Sequence, residues 1–194
     1  VAGVSAALDL LLFCLTDEGD HVLIPCPYFP GYNGIVQSPR LQACVTNVIV
    51  PNKDVFSDEF NADEFLHPDN LEKSLQRIPT GKRGRVLLLT SPTNPGGALY
   101  SKDALFKAVQ WARTRNIETV VDEIYACSVH SEDGAFSSTL DSLRGDLGHD
   151  VHVLWGFSKD FALAGWRVAA LHSHSELLLR SFASLAHQCE ASRC

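Results

Sequence analysis

The chain has 194 residues, with 16 Lys and Arg against 23 Asp and Glu, giving a net charge of −7 at pH 7. An apolar fraction of 45% with 20% charged residues belongs to a globular protein and excludes disorder, collagen and coiled coil. The length suits one domain or one large lobe of an enzyme, and the acidic balance excludes general nucleic-acid binding, which needs a basic face.

The chain opens Val1-Ala2-Gly3 and contains no Met, which points to an internal piece of a longer protein. Ala6 to Leu15 is apolar but broken by Asp9 and has no basic flank, so neither a signal peptide nor a membrane span is expected. Ser5 to Leu15 predicts a helix with Ser5 as N-cap, closed by the turn Asp17-Glu18-Gly19-Asp20. His21 to Ile24 is a short strand stopped by Pro25 and Pro27, and Leu41 to Val50 alternates as a second. Pro51 to His67, with Asp54, Asp58, Glu59, Asp63 and Glu64, reads as a polar surface excursion. Pro68 to Ile78 follows as a helix with Pro in its first turn.

The next block is the most regular. Arg85 to Thr90 is an apolar strand of the buried, parallel kind, followed by the turn Ser91 to Gly97 and a helix over Ser101 to Asn116. Glu118 to Asp122 completes a strand–helix–strand crossover. Ser131 to Asp150 is a polar loop broken by Gly134, Gly145 and Gly148. Val151 to Gly156 and Arg167 to His172 are further strands, and Ser175 to Ala191 is a closing helix. The fold class is therefore α/β, a mostly parallel sheet with helices on both faces. Six Cys, at 14, 26, 44, 127, 189 and 194, form no C-x-x-C pair and read as reduced thiols of a cytoplasmic protein.

Parallel sheets bind ligands at the carboxyl ends of their strands, and the polar residues of interest fall there. Gly3-Val4-Ser5 precedes a helix whose first amides suit a phosphate. Asn94 lies between two prolines after one strand, Asp122-Glu123-Ile124-Tyr125 ends the next, and Ser158-Lys159-Asp160 follows another, with Arg167 beyond. Each has a plain structural reading when taken singly: a helix start, a turn Asn, a capping Asp, a solvated Lys. Their order, each after a strand, argues that they are not independent.

In Ser-Pro-Thr-Asn-Pro-Gly-Gly (91–97), Asp-Glu-Ile-Tyr (122–125) and Ser-Lys-Asp-Phe…Gly-Trp-Arg-Val (158–168), the chain resembles the fold-type-I pyridoxal-phosphate enzymes of the class I/II aminotransferase family. Pro27-Tyr28-Phe29-Pro30-Gly31-Tyr32 and the Asp after the lysine resemble its 1-aminocyclopropane-1-carboxylate synthase-like branch. The resemblance implies that residues 1–194 are the large cofactor-binding domain, without the N-terminal segment and the C-terminal small domain.

It further implies a role for each matching residue. Lys159 would form a Schiff base with pyridoxal 5'-phosphate and later serve as general base. Asp122 would pair with the pyridine nitrogen, Tyr125 and Asn94 would bond the ring hydroxyl, and Phe29 would stack on the ring. Val4, Ser5, Ser158 and Arg167 would surround the phosphate. Three positions depart from the family pattern: Gly156 where a phosphate-binding Ser is common, and Ala162 and Ala169 where Gly is common. Loss of the hydroxyl at 156 would cost about 1 kcal/mol if nothing replaces it.

The arginine that binds the substrate carboxylate in the family would lie in the small domain, and a further contact would come from a partner subunit. The implied activity is on an α-amino acid, or S-adenosylmethionine as in the synthase reaction, by a homodimer that binds neither nucleic acid nor membrane. Transamination or carbon–sulfur lysis with the same cofactor residues is the first alternative. A truncated chain or pseudoenzyme that binds cofactor without turnover is the second. His172-Ser173-His174 lacks partners for a metal site and reads as a strand end, and Lys82-Arg83-Gly84-Arg85 reads as a solvated basic run.

Overall fold

Parity along the strands organises the molecule. The computed structural model describes residues 1–50, 54, 57, 60–129 and 136–191. Its strands are β1 (His21–Pro25), β2 (Cys44–Val48), β3 (Gly84–Thr90), β4 (Glu118–Asp122), β5 (Val151–Gly156) and β6 (Ala169–Ser173). They form one sheet in the order β2-β1-β3-β4-β5-β6, parallel except for β6, which runs antiparallel to β5. Successive side chains of a strand point to opposite faces, and here both faces are apolar. Val22, Ile24, Val86, Leu88, Val120 and Leu154 enter one core, while Leu23, Leu87, Leu89 and Val121 enter a second.

Helices cover both cores, as the α/β reading expects. The first core packs under α1 (Val4–Leu15), α2 (Gly31–Val36) and α8 (Glu176–Ala191), the second under α3 (Asp63–Leu66), α4 (Pro68–Leu75) and α5 (Lys102–Arg113). Ser101 caps α5 through its hydroxyl, which accepts the Ala104 amide at 3.1 Å. Residues 84–122 form the crossover read from the sequence, with Leu105 and Ala108 of α5 buried on the sheet.

Several expectations are corrected. Ser5 is not the N-cap of α1; Gly3 is, at φ 89°, and no side chain caps the helix. The excursion before α4 is not all surface, because Phe65 and Leu66 of α3 are buried in the second core. The segment before β5 contains a one-turn helix, α6 (Thr139–Ser142), followed by Leu143 and Leu147, which pack with Val109 and Val151. Arg167 is not strand, since it takes φ 52° before β6 begins at Ala169. Nor is the basic run simply solvated: Arg83 bonds Asp17 and Asp20, and Arg85 donates to the Leu15 and Asn116 carbonyls. Asp58, Glu59, Gly134 and Cys194 lie outside the described residues.

Candidate functional site

Three parallel strands end side by side. Thr90 closes β3 and pairs in register with Asp122 at the end of β4, and Gly156 closes β5. All three share the parity of the first core. Asp122 is 4% exposed, its Oδ1 accepting the Ile124 amide at 3.1 Å and its Oδ2 the Tyr32 hydroxyl at 2.8 Å. Burial pushes its pKa up to about 6, against the lowering effect of these two hydrogen bonds. Among the described residues no cation is paired with this carboxylate. A buried acid with two donors and no counter-charge carries a desolvation cost when ionised, which a cation placed beside it would offset.

Tyr32 extends the arrangement. Burial and the neighbouring Asp122 raise its phenol well above the ordinary range, so it stays protonated. Its single proton goes to Asp122, and the Thr90 hydroxyl, 2.8 Å away, therefore donates to Tyr32. On the other side of the site, Asn94 donates from Nδ2 to the Tyr125 hydroxyl at 3.1 Å. The turn carrying Tyr125 is held by buried Glu123, which accepts the Thr139 amide at 2.6 Å and the Ser138 hydroxyl at 2.8 Å.

After β5 the chain makes a one-turn helix, α7 (Phe157–Asp160), and a 3-10 turn (Ala164–Trp166), which bring Ser158, Lys159 and Arg167 to the same space. Arg167 donates to the Ala164 carbonyl at 3.0 Å and the Ala2 carbonyl at 3.2 Å. This sets its guanidinium against Gly3, where a Cβ would stand 2.3 Å from Nη2. Opposite, the first-turn amides of α1 have no acceptor within the helix and no capping side chain. A backbone cradle, a cation and the hydroxyls of Ser5 and Ser158 so surround one place, which suits a phosphate.

All nine residues singled out from the sequence line one cavity of about 220 Å³: Val4, Ser5, Phe29, Asn94, Asp122, Tyr125, Ser158, Lys159 and Arg167. Phe29 stands at its edge, packed edge-on against Tyr32 with centroids 5.6 Å apart. Tyr32 and Thr90 line it too and were missed from the sequence. The available signals were Tyr32 closing the Pro27-to-Tyr32 run and Thr90 ending a buried strand.

A flat aromatic ring with a basic nitrogen at one end and a phosphate at the other would match Asp122 and the Arg167 cradle. The family model for class I and II aminotransferases matches residues 1–189. The chain belongs to that family. Among its relatives, the Homo sapiens protein named probable inactive 1-aminocyclopropane-1-carboxylate synthase-like protein 2 is 34% identical over 175 residues, 90% of this chain and 30% of that protein. The Arabidopsis thaliana 1-aminocyclopropane-1-carboxylate synthase 11 is 34% identical over 179 residues, 90% and 37% of the two chains. The solved aspartate aminotransferase from Rhizobium meliloti superposes with a TM-score of 0.78 at 26% identity, covering 97% of this chain and 43% of that one. This aminotransferase-family chain spans about a third of the length of the curated relatives it matches.

The three departures from the family pattern now have a physical setting. Gly156 and Ala169 face each other in the β5–β6 register. A Cβ at 156 would lie 2.9 Å from the Val168 carbonyl, 3.0 Å from Val4 and 3.3 Å from the Ala169 methyl, so this backbone leaves a serine no room. Ala162 takes φ 53°, the left-handed region that favours glycine. Of the three, Ala162 touches the site's lysine, its amide donating to the Lys159 carbonyl at 3.2 Å. Among the described residues no helix is long and apolar enough to cross a membrane, and no group of three or more His, Cys, Asp or Glu could hold a metal ion.

Proposed function

We propose that residues 1–194 form the large cofactor-binding domain of a pyridoxal-phosphate enzyme acting on an α-amino acid. The observation that carries this reading is Asp122: a buried carboxylate without a cationic partner among the described residues, lining the same cavity as Ser5, Ser158 and Arg167. Pyridoxal phosphate, when bound, supplies an aldehyde for an amine to capture and a ring that withdraws electrons from the substrate carbon beside the amine. Asp122 would hold a proton on the pyridine nitrogen by placing a negative charge against it. Tyr125 and Asn94 offer hydrogen bonds to the ring hydroxyl, and Phe29 covers a ring face. Arg167, Ser5, Ser158 and the Val4 and Ser5 amides bind the phosphate. Lys159 would hold the cofactor through its side-chain amine, and the same amine would move the proton at the substrate α-carbon.

Likeness to the synthase branch favours an S-adenosylmethionine-like substrate, with transamination and carbon–sulfur lysis using the same residues. We read the complete protein as a homodimer. The free thiols of Cys14, Cys26, Cys44 and Cys127 suit the reducing cytoplasm. A second reading, cofactor binding without turnover, is favoured by the likeness to a Homo sapiens relative named probable inactive.

Incubation with pyridoxal phosphate, borohydride reduction and peptide mapping test the assignment. The label is expected on Lys159 and to vanish in Lys159→Ala. A label on another lysine overturns the site, and turnover against candidate amino acids separates the two readings.

A further inference from the structure

The short helix that carries Lys159 buries none of its own side chains. Its packing comes down to the partly buried Phe157, whose ring meets Trp155 and Phe161 edge-on with centroids 5.2 and 5.6 Å away, and isolated turns of this length do not persist in water. The residue after the lysine adds side-chain hydrogen bonds that tie this turn to two neighbouring elements. Asp160 Oδ1 accepts the Ser128 hydroxyl at 2.9 Å, and Oδ2 accepts the Trp155 indole N–H at 2.9 Å. Burial and the neighbouring Asp160 carboxylate push the Cys127 thiol up.

These donors come from two directions. Trp155 lies on β5, and its ring meets Phe157 and Phe161 edge-on, with centroids 5.2 and 6.0 Å away. Cys127 and Ser128 belong to the turn after β4, where the Ser128 amide bonds the Tyr125 carbonyl at 2.9 Å. A single carboxylate therefore ties the lysine turn to the β5 strand on one side and to the Tyr125 turn on the other. Beyond it the backbone passes through left-handed conformations at Ala162 and Arg167, which the chain does not adopt unless its ends are held.

We propose that Asp160 is the positioning residue for Lys159, fixing the lysine turn against the turn that carries Tyr125 through its simultaneous bonds to Ser128 and Trp155. The inference rests on the reading of Lys159 as the cofactor lysine. It concerns how the amine is placed before any substrate arrives.

Two variants of the chain test it, Asp160→Ala and Asp160→Asn. In the cofactor-free protein, the Trp155 indole N–H resonance is expected to shift upfield in the Ala variant and to stay near its wild-type position in the Asn variant, which keeps an acceptor. With pyridoxal phosphate and borohydride, the Ala variant should label Lys159 about tenfold more slowly, because the amine is no longer held near its target, and Asn should recover most of the rate. A merely structural role would instead lower the melting temperature of both variants and leave the rate per folded molecule unchanged. That result overturns the proposal, as does wild-type labelling in Asp160→Ala.

Should the Ala variant fail to fold, Ser128→Ala removes one arm without touching the helix. It should slow labelling about threefold, a part of the full effect, and a wild-type rate there overturns the proposal. Labelling of the wild-type chain away from Lys159 overturns the cofactor reading itself, and the proposal with it.

Discussion

Asp122 makes the cofactor-free protein pH-sensitive in a direction opposite to that of an ordinary salt-bridged carboxylate. Its pKa is about 6 in the folded chain against a usual 3.8, raised by burial. Between those values the folded state keeps a proton that the unfolded state has released. Stability is therefore undiminished below pH 3.8, is lost as pH rises, and is lowered by up to about 3 kcal/mol above pH 6. Asp122→Asn has no such loss. In urea unfolding of the cofactor-free chain, the stability gap between Asp122→Asn and wild type should widen from pH 4 to pH 7; a gap constant across that range contradicts the account. The same variant should lose cofactor affinity, so its gain in stability marks a functional residue held at a cost. Asp122 was legible in the sequence because it closes an apolar strand. Tyr32 was not, because its partners Thr90 and Asp122 lie 58 and 90 residues away and no local pattern records that meeting.

The elements divide by how local their causes are. The strand, α5 and strand of residues 84–122 were legible because an apolar run, a capping Ser101 and periodic burial all act within a few residues. The six residues of α2 contain two glycines behind Pro30, and only the burial of Tyr32 and Val36 against the first core makes them helical. The start of α1 misled for the same reason. Ser5 is a good capping residue, but Gly3 takes the cap at φ 89° because Val1 is hydrogen-bonded to Ala169 and Arg167 fills the space beside it. Gly3→Ala should therefore do two things. The methyl is strained at that φ and stands 2.3 Å from the guanidinium, so Arg167 must leave the cradle. Affinity for pyridoxal phosphate, read by fluorescence titration, should fall about tenfold or more as one charge-assisted contact is lost, while affinity for phosphate-free pyridoxal changes little. Equal losses for both ligands would show that the cradle does not face a phosphate.

At the scale of the whole molecule, its apolar surface is unevenly placed. Trp166 is 67% and Phe161 54% exposed on the segment after Lys159, and Leu177 is 78% exposed on α8. Exposed rings and leucines of this size favour association in water. Sedimentation velocity of the chain is expected to show concentration-dependent association that Trp166→Ser with Leu177→Ser weakens; a monomer at every concentration would remove the argument. The sheet carries a different kind of constraint. Because Thr90 and Asp122 reach the site only by sharing the parity of the first core, β3 and β4 behave as a reading frame. One residue inserted between Glu118 and Asp122 would send the carboxylate into the layer of Leu87, Leu89 and Val121, under α5 and away from the cavity. Two would return it to the right face, one pleat further along. Length changes in these strands are thus tolerable only in even steps.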